Sequence, residues 1–299
     1  MEGRAYALKL VAIAALWLAL ARFLPDFLWR ALPRALLDSL SLPAYSMLCQ
    51  VATTVLGVGM ARLAFVRARA ALGLERPSLW HISIAMLLAP AVFVMASYLA
   101  LKIAEPYLLA ELATEGAGAS RRNAGAFGRA VAEAPLALTL VWGAVLAAIA
   151  EELAFRGALF GAVEASIARV FGPPADEVAS SGRGRERWFS GGLATVASAV
   201  VFGAMHADMK GSVGIVRVVA TTCLGLACGT ARLLSGTVVV AMIVHFTYNA
   251  VSLMLARGLF RGDSEPLVSV VPNRLLALAA LGALVALGIG VGRRASRRA

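Results

Sequence analysis

Ionisable side chains are what this chain has least of. Asp, Glu, Lys and Arg make up 15% of its 299 residues, against about 25% in an ordinary soluble domain. With 60% of the residues hydrophobic and a mean hydropathy of +0.81, a soluble globular class is excluded and a polytopic membrane protein is expected. Long segments of alternating polarity are also lacking, which excludes a transmembrane barrel and leaves helices. Cysteines number three, and Cys49, Cys223 and Cys228 show no paired spacing. They are read as small buried hydrophobes, and no disulfide framework is indicated. No serine or cysteine stands in a recognisable nucleophile context, no H-E-x-x-H is present, and neither an internal repeat nor a separate soluble domain is found.

What the chain does have is apolar length. A spanning helix needs about 20 predominantly apolar residues, and eight such segments run approximately over 5–21, 44–66, 82–101, 135–165, 190–206, 213–231, 237–256 and 274–292. The expectation is an all-α protein, a single integral membrane domain over 1–299 with about eight transmembrane helices. The net charge of +11 sits mostly in loops and tails, where arginine clusters act as positive-inside anchors, so it points to a lipid bilayer partner and not to nucleic acid. An even number of spans puts both termini on one side, and the Arg293/Arg294/Arg297/Arg298 tail places that side in the cytoplasm. The Ala- and Arg-rich composition is read as bacterial, hence an inner (cytoplasmic) membrane. The first apolar run, which ends Ala19-Leu20-Ala21, imitates a secretory signal but is read as an uncleaved first helix. Among the connections, Arg22–Pro43 reads as a short amphipathic surface helix, Lys102–Glu133 as a polar loop with partial helix, and Arg169–Trp188 as a flexible basic loop.

Against this apolar background, Glu151-Glu152-Leu153-Ala154-Phe155-Arg156 sets three ionisable residues near the middle of a helix that opens at Pro135. A charge at the bilayer centre costs roughly 2.5–3.5 kcal/mol on insertion scales, so such residues face a bundle interior and serve a purpose there. Residues four apart share a helix face, so Glu152 pairs with Arg156 and His245 projects with Asn249. Glu151 is rotated about 100° from Glu152 and is left to face another helix. A second polar group, Phe202-Gly203-Ala204-Met205-His206, ends another apolar segment. A buried carboxylate beside an imidazole can take a proton from water and return it to a leaving group. Imidazole and carboxamide donors can hold the oxyanion formed when a carbonyl is attacked. Together these groups suffice to hydrolyse an amide bond inside a membrane. Polar groups that only hydrogen-bond helices together are the bland alternative, and three separate helices each presenting one argue against it.

Glu151-Glu152-x-x-x-Arg156, Phe202-x-x-x-His206 and His245-x-x-x-Asn249, with the Phe155-Arg156-Gly157 context, resemble the three ordered motifs of the CPBP intramembrane proteases, which include CAAX prenyl proteases of the Rce1 type and bacteriocin-processing or self-immunity (Abi-type) proteins. The resemblance covers roughly Pro135 to Ser252, within a motif-bearing core of about 135–256. It implies an active site inside the bundle, with Glu151 activating water, His206 assisting it, His245 and Asn249 stabilising the oxyanion, and Glu152, Arg156 and Phe202 supporting the site. It implies a peptide or protein substrate associated with the membrane and no cofactor. Zinc held by one Glu and two His is the mechanistic runner-up. An ion- or proton-coupled transporter and a non-catalytic immunity or scaffold protein are the readings from other classes. Oligomeric state has no signal in the sequence.

Overall fold

Among the described residues of the computed structural model, seven helices are long and apolar enough to cross a membrane, and they coincide with the first seven segments expected from hydropathy. The structure describes residues 2–115, 128–171 and 183–257, and the eighth segment and arginine tail lie outside them. In chain order the helices are α1 (Glu2–Ala31), α2 (Arg34–Ser39), α3 (Leu42–Ala64), α4 (Ala68–Ala71), α5 (Leu79–Glu115), α6 (Leu136–Phe171), α7 (Arg183–Met205), α8 (Gly211–Ser235) and α9 (Val238–Ala256). A further helical stretch covers 128–133, and no strand occurs among the described residues. The protein is an all-α polytopic membrane protein.

One connection differs from expectation. Arg22–Ala31 is not a separate surface helix: α1 continues through Pro25 to Ala31, because apolar residues persist on both sides of the proline and Arg22 pairs with Asp26 one turn on. Only α2 is a distinct short helix there. The partial helix expected in Lys102–Glu133 includes Lys102–Glu115, which forms the last turns of α5. Its residues are mostly good helix formers, Lys102 meets Glu105 at 3.0 Å, and the helix-breaking glycines begin only at Gly116, outside the described residues. The expected basic loop after α6 also falls mostly outside them, and Arg183 already belongs to α7.

Helix ends follow from local chemistry. The Ser41 hydroxyl accepts the Ala44 N–H at 3.4 Å and starts α3. α8 ends on Gly236 in the left-handed region (φ 78°), where a side chain would be strained. Thr237 then caps α9, accepting the Val239 N–H at 3.3 Å. Its hydroxyl donates to the Glu75 carbonyl at 2.6 Å, and the Val238 N–H donates to the Gly73 carbonyl at 2.9 Å, so the α8–α9 turn is tied to the α4–α5 connection. The start of α8 is capped from another helix: Glu111 on α5 accepts the Ser212 N–H at 2.6 Å and its hydroxyl at 2.8 Å.

Close packing rests on small residues, as in membrane bundles generally. A Cβ at Gly57 on α3 would lie 2.1 Å from the indole of fully buried Trp17 on α1, and one at Gly225 on α8 would lie 2.9 Å from Ala199 Cα on α7. α8 packs against α5 and α7, α9 against α5, α8 and α6, and α6 against α1, α7 and α9. The midpoint of α6 is thereby enclosed. α6 is not uniform: Val141–Leu146 and Leu153–Leu159 are π-helical, flanking the α-helical Ala147–Glu152. Such wide turns are frequent at functional sites.

Candidate active site

Each ionisable group of the middle of α6 has its own partner, and the burial differs sharply. Glu152 and Arg156 have no exposed side-chain surface and pair at 3.0 Å within the helix. The second arm of the guanidinium donates to the Gly225 carbonyl on α8 at 2.9 Å. Its plane lies 4.7 Å from the ring centroid of Phe202, which is fully buried. An unpaired charge here would cost several kcal/mol, and the fork geometry of arginine engages Glu152 Oε1 and the Gly225 carbonyl together.

The same carboxylate oxygen reaches further than helical spacing alone indicates. Glu152 Oε1 lies 2.8 Å from His245 Nδ1 on α9. Because Glu152 is an acceptor already bonded to Arg156, the imidazole proton belongs on Nδ1. His206, just beyond the C-terminal end of α7, places Nδ1 2.8 Å from the Phe202 carbonyl. A carbonyl only accepts, so this ring also carries its proton on Nδ1. Both rings therefore present Nε2 to the interior of the site. Glu151 Oε2 lies between them, 3.8 Å from His206 Nε2 and 3.7 Å from His245 Nε2. The Glu151 and His206 side chains are 29% and 17% exposed, so this corner is open to solvent or substrate while Glu152 and His245 are sealed beneath it.

Phe202 is the packing centre. Its ring lies 4.6 Å from that of His206, 5.7 Å from His245 and 4.9 Å from Phe155, all edge-on, and these contacts hold both imidazoles in place. Asn249, one turn beyond His245, donates through Nδ2 to the Gly143 carbonyl at 2.9 Å. One amide N–H is thus engaged, and the other remains for a ligand.

All seven residues singled out from the sequence lie in this cluster or one turn from it. The structure refines the division between the glutamates: Glu151 and Glu152 both contact His245, on its two different nitrogens. Sequence reasoning missed the Gly143 and Gly225 carbonyls, and gave Phe155 as motif context without its packing role. Backbone acceptors carry no sequence signal beyond the glycine that lets a neighbour approach. For a metal, Glu152, Cys228 and His245 offer ligand atoms within 4.8 Å of one another among the described residues. That set does not suit a dication, because Glu152 is already neutralised by the fixed guanidinium of Arg156. Cys228 itself donates to the Ala241 carbonyl at 3.6 Å, as a buried small side chain.

Polar groups from three membrane helices converging on a half-open carboxylate define an integral membrane protein with an intramembrane polar site. Residues 133–251 match the family described as type II CAAX prenyl endopeptidase Rce1-like. That stretch is similar to the Rce1-like family and contains every residue of the cluster, consistent with the CPBP resemblance. It supports an intramembrane protease of the CAAX type in general. No curated protein and no solved structure matches the chain.

Proposed function

We propose that the protein is an endopeptidase that hydrolyses a peptide bond with water activated by Glu151. The observation that carries this reading is the placement of Glu151 Oε2 at 3.8 and 3.7 Å from two imidazole Nε2 atoms, each a spacing that a hydrogen-bonded water can bridge. Glu151 takes a proton from that water as the oxygen attacks the substrate carbonyl carbon, and delivers it to the leaving nitrogen as the C–N bond breaks. His206, with Nδ1 committed to Phe202, offers Nε2 to orient the water. The oxyanion is held by the free N–H of Asn249 and by His245. Since Nδ1–H of His245 points to Glu152, donation from Nε2 requires a doubly protonated ring, whose charge then lies between the two carboxylates.

The reading is metal-free, with Glu152 and Arg156 as a sealed support under His245. The substrate is a peptide or protein terminus presented at the bilayer, the membrane is the bacterial inner membrane, and both termini face the cytoplasm. The protein reconstituted in liposomes is tested with prenylated and unprenylated peptides ending in a CAAX sequence, and mass spectrometry of membranes with and without Glu151 finds native products. Glu151→Ala and His206→Ala abolish cleavage while the protein remains inserted and folded; a well-expressed Glu151→Ala protein that still cleaves would sink the proposal.

A further inference from the structure

The His245/Asn249 face of α9 does not stop at Asn249. Leu253 and Arg257 follow at the same four-residue spacing, so all four lie along one stripe, and each contacts α6. His245 meets Glu152. Asn249 meets the Gly143 carbonyl. Leu253 lies against Gly143, where a Cβ would come within 2.9 Å of its Cδ1. Arg257 donates from Nη1 to the Val131 carbonyl at 2.9 Å and to the Thr139 hydroxyl at 3.3 Å, and also to the Ala134 carbonyl.

The two helices run antiparallel, and their residue counts do not match. Thr139 and Glu152 are thirteen positions apart on α6, while His245 and Arg257 are twelve apart on α9. A π turn accommodates about one extra residue, and the stretch Val141–Leu146 lies between the two α6 contacts. It also changes what Gly143 offers: Ala147 donates its N–H to Ala144, not to Gly143 four residues back. The Gly143 carbonyl faces Asn249, and a carbonyl admits only the NH2 end of the carboxamide, which settles which way the amide is turned.

We infer that Arg257 is a positioning residue for Asn249: by clamping the start of α6 it sets the register in which the Gly143 carbonyl orients the carboxamide and aims its second N–H at the reacting carbonyl. This rests on the proposed function only in assigning Asn249 to the oxyanion. The clamp itself concerns two helices and can be observed without a substrate.

The test is a double-mutant cycle on kcat with the CAAX-ended peptide, together with hydrogen exchange over residues 136–146. Arg257→Ala is expected to lower kcat by between about tenfold and a hundredfold, as small misplacements do, with KM unchanged. Arg257→Lys, which keeps a cationic donor, recovers most of the loss. In an Asn249→Ala background the same Arg257→Ala change alters kcat less than about twofold, because the two act as one unit. Exchange over 136–146 rises in Arg257→Ala whether or not a peptide is turned over. Additive losses, a kcat unaffected by Arg257→Ala, or unchanged exchange each overturn the inference. Additive losses with Asn249→Ala and Glu151→Ala still inactive leave the proposed function standing; Asn249→Ala with wild-type kcat removes Asn249 from the reaction and sinks the inference with it.

Discussion

Replacing Arg156 by methionine is the most direct probe of how this site is held together. Arg156 and Glu152 have no exposed side-chain surface, and the guanidinium bonds the carboxylate at 3.0 Å and the Gly225 carbonyl at 2.9 Å. Arg156→Met leaves the shape of the aliphatic stem but strands Glu152, and breaking such a buried pair from one side costs about 3–5 kcal/mol. At roughly 2–4 °C per kcal/mol for a protein somewhat smaller than this, the melting temperature of the detergent-solubilised protein should fall on the order of 10 °C. The discriminating variant is Glu152→Gln/Arg156→Met. It removes both charges and keeps an acceptor for His245, so it should regain most of the lost stability. The assay is intrinsic-fluorescence melting of both variants in the same detergent. A single variant that melts within about 3 °C of wild type, or a double variant no more stable than the single, would refute the stranded-charge reasoning.

Other outcomes follow from the same geometry. Glu151→Gln should leave the melting temperature within about 2 °C of wild type, because Glu151 is partly exposed and has no short partner; a large drop would show that it is structural. Gly203→Ala should destabilise the α7–α8 contact, since its Cβ would lie 1.9 Å from Thr222 Oγ1, and Thr222→Ala should restore part of the loss; circular-dichroism melts of the pair report this. Gly225→Ala, whose Cβ would lie 2.9 Å from Ala199 Cα and 3.1 Å from Arg156 Nη2, should lower both stability and cleavage in detergent assays. Chelator treatment followed by Zn²⁺ should leave peptide cleavage unchanged; loss with chelator and recovery with zinc would replace the glutamate mechanism by a metal one.

Much of the site was legible because membrane sequences make polar residues conspicuous. Glu151, Glu152, Arg156, His206, His245 and Asn249 stand out in apolar runs, and the four-residue spacing announced the Glu152–Arg156 pair found at 3.0 Å. The same rule hid the bridge from Glu152 to His245, which depends on how α9 crosses α6 and not on spacing within either helix. The π turns were illegible for a different reason. Residues Leu136–Ala150 are apolar almost throughout, so no face is marked and a change of pitch leaves no trace in the pattern. At the polar end of α5 the partial helix was legible from composition but its use was not: Glu111 reaches across to cap α8 at Ser212, a contact set by how the two helices cross.

The placement of Glu152 and Arg156 on one helix has a consequence for biogenesis. Helices enter a bilayer before they assemble with one another, and at that stage neither Gly225 nor His245 is at hand. A carboxylate and a guanidinium four residues apart can neutralise each other within α6 alone, so the middle of this helix crosses the membrane with the burden of one lone acid, Glu151, instead of three separate charges. Had the arginine stood on α8 or α9, the same finished site would have required two helices each to insert an uncompensated ion. The motif therefore equips the segment to survive insertion as well as to build a site once its neighbours arrive.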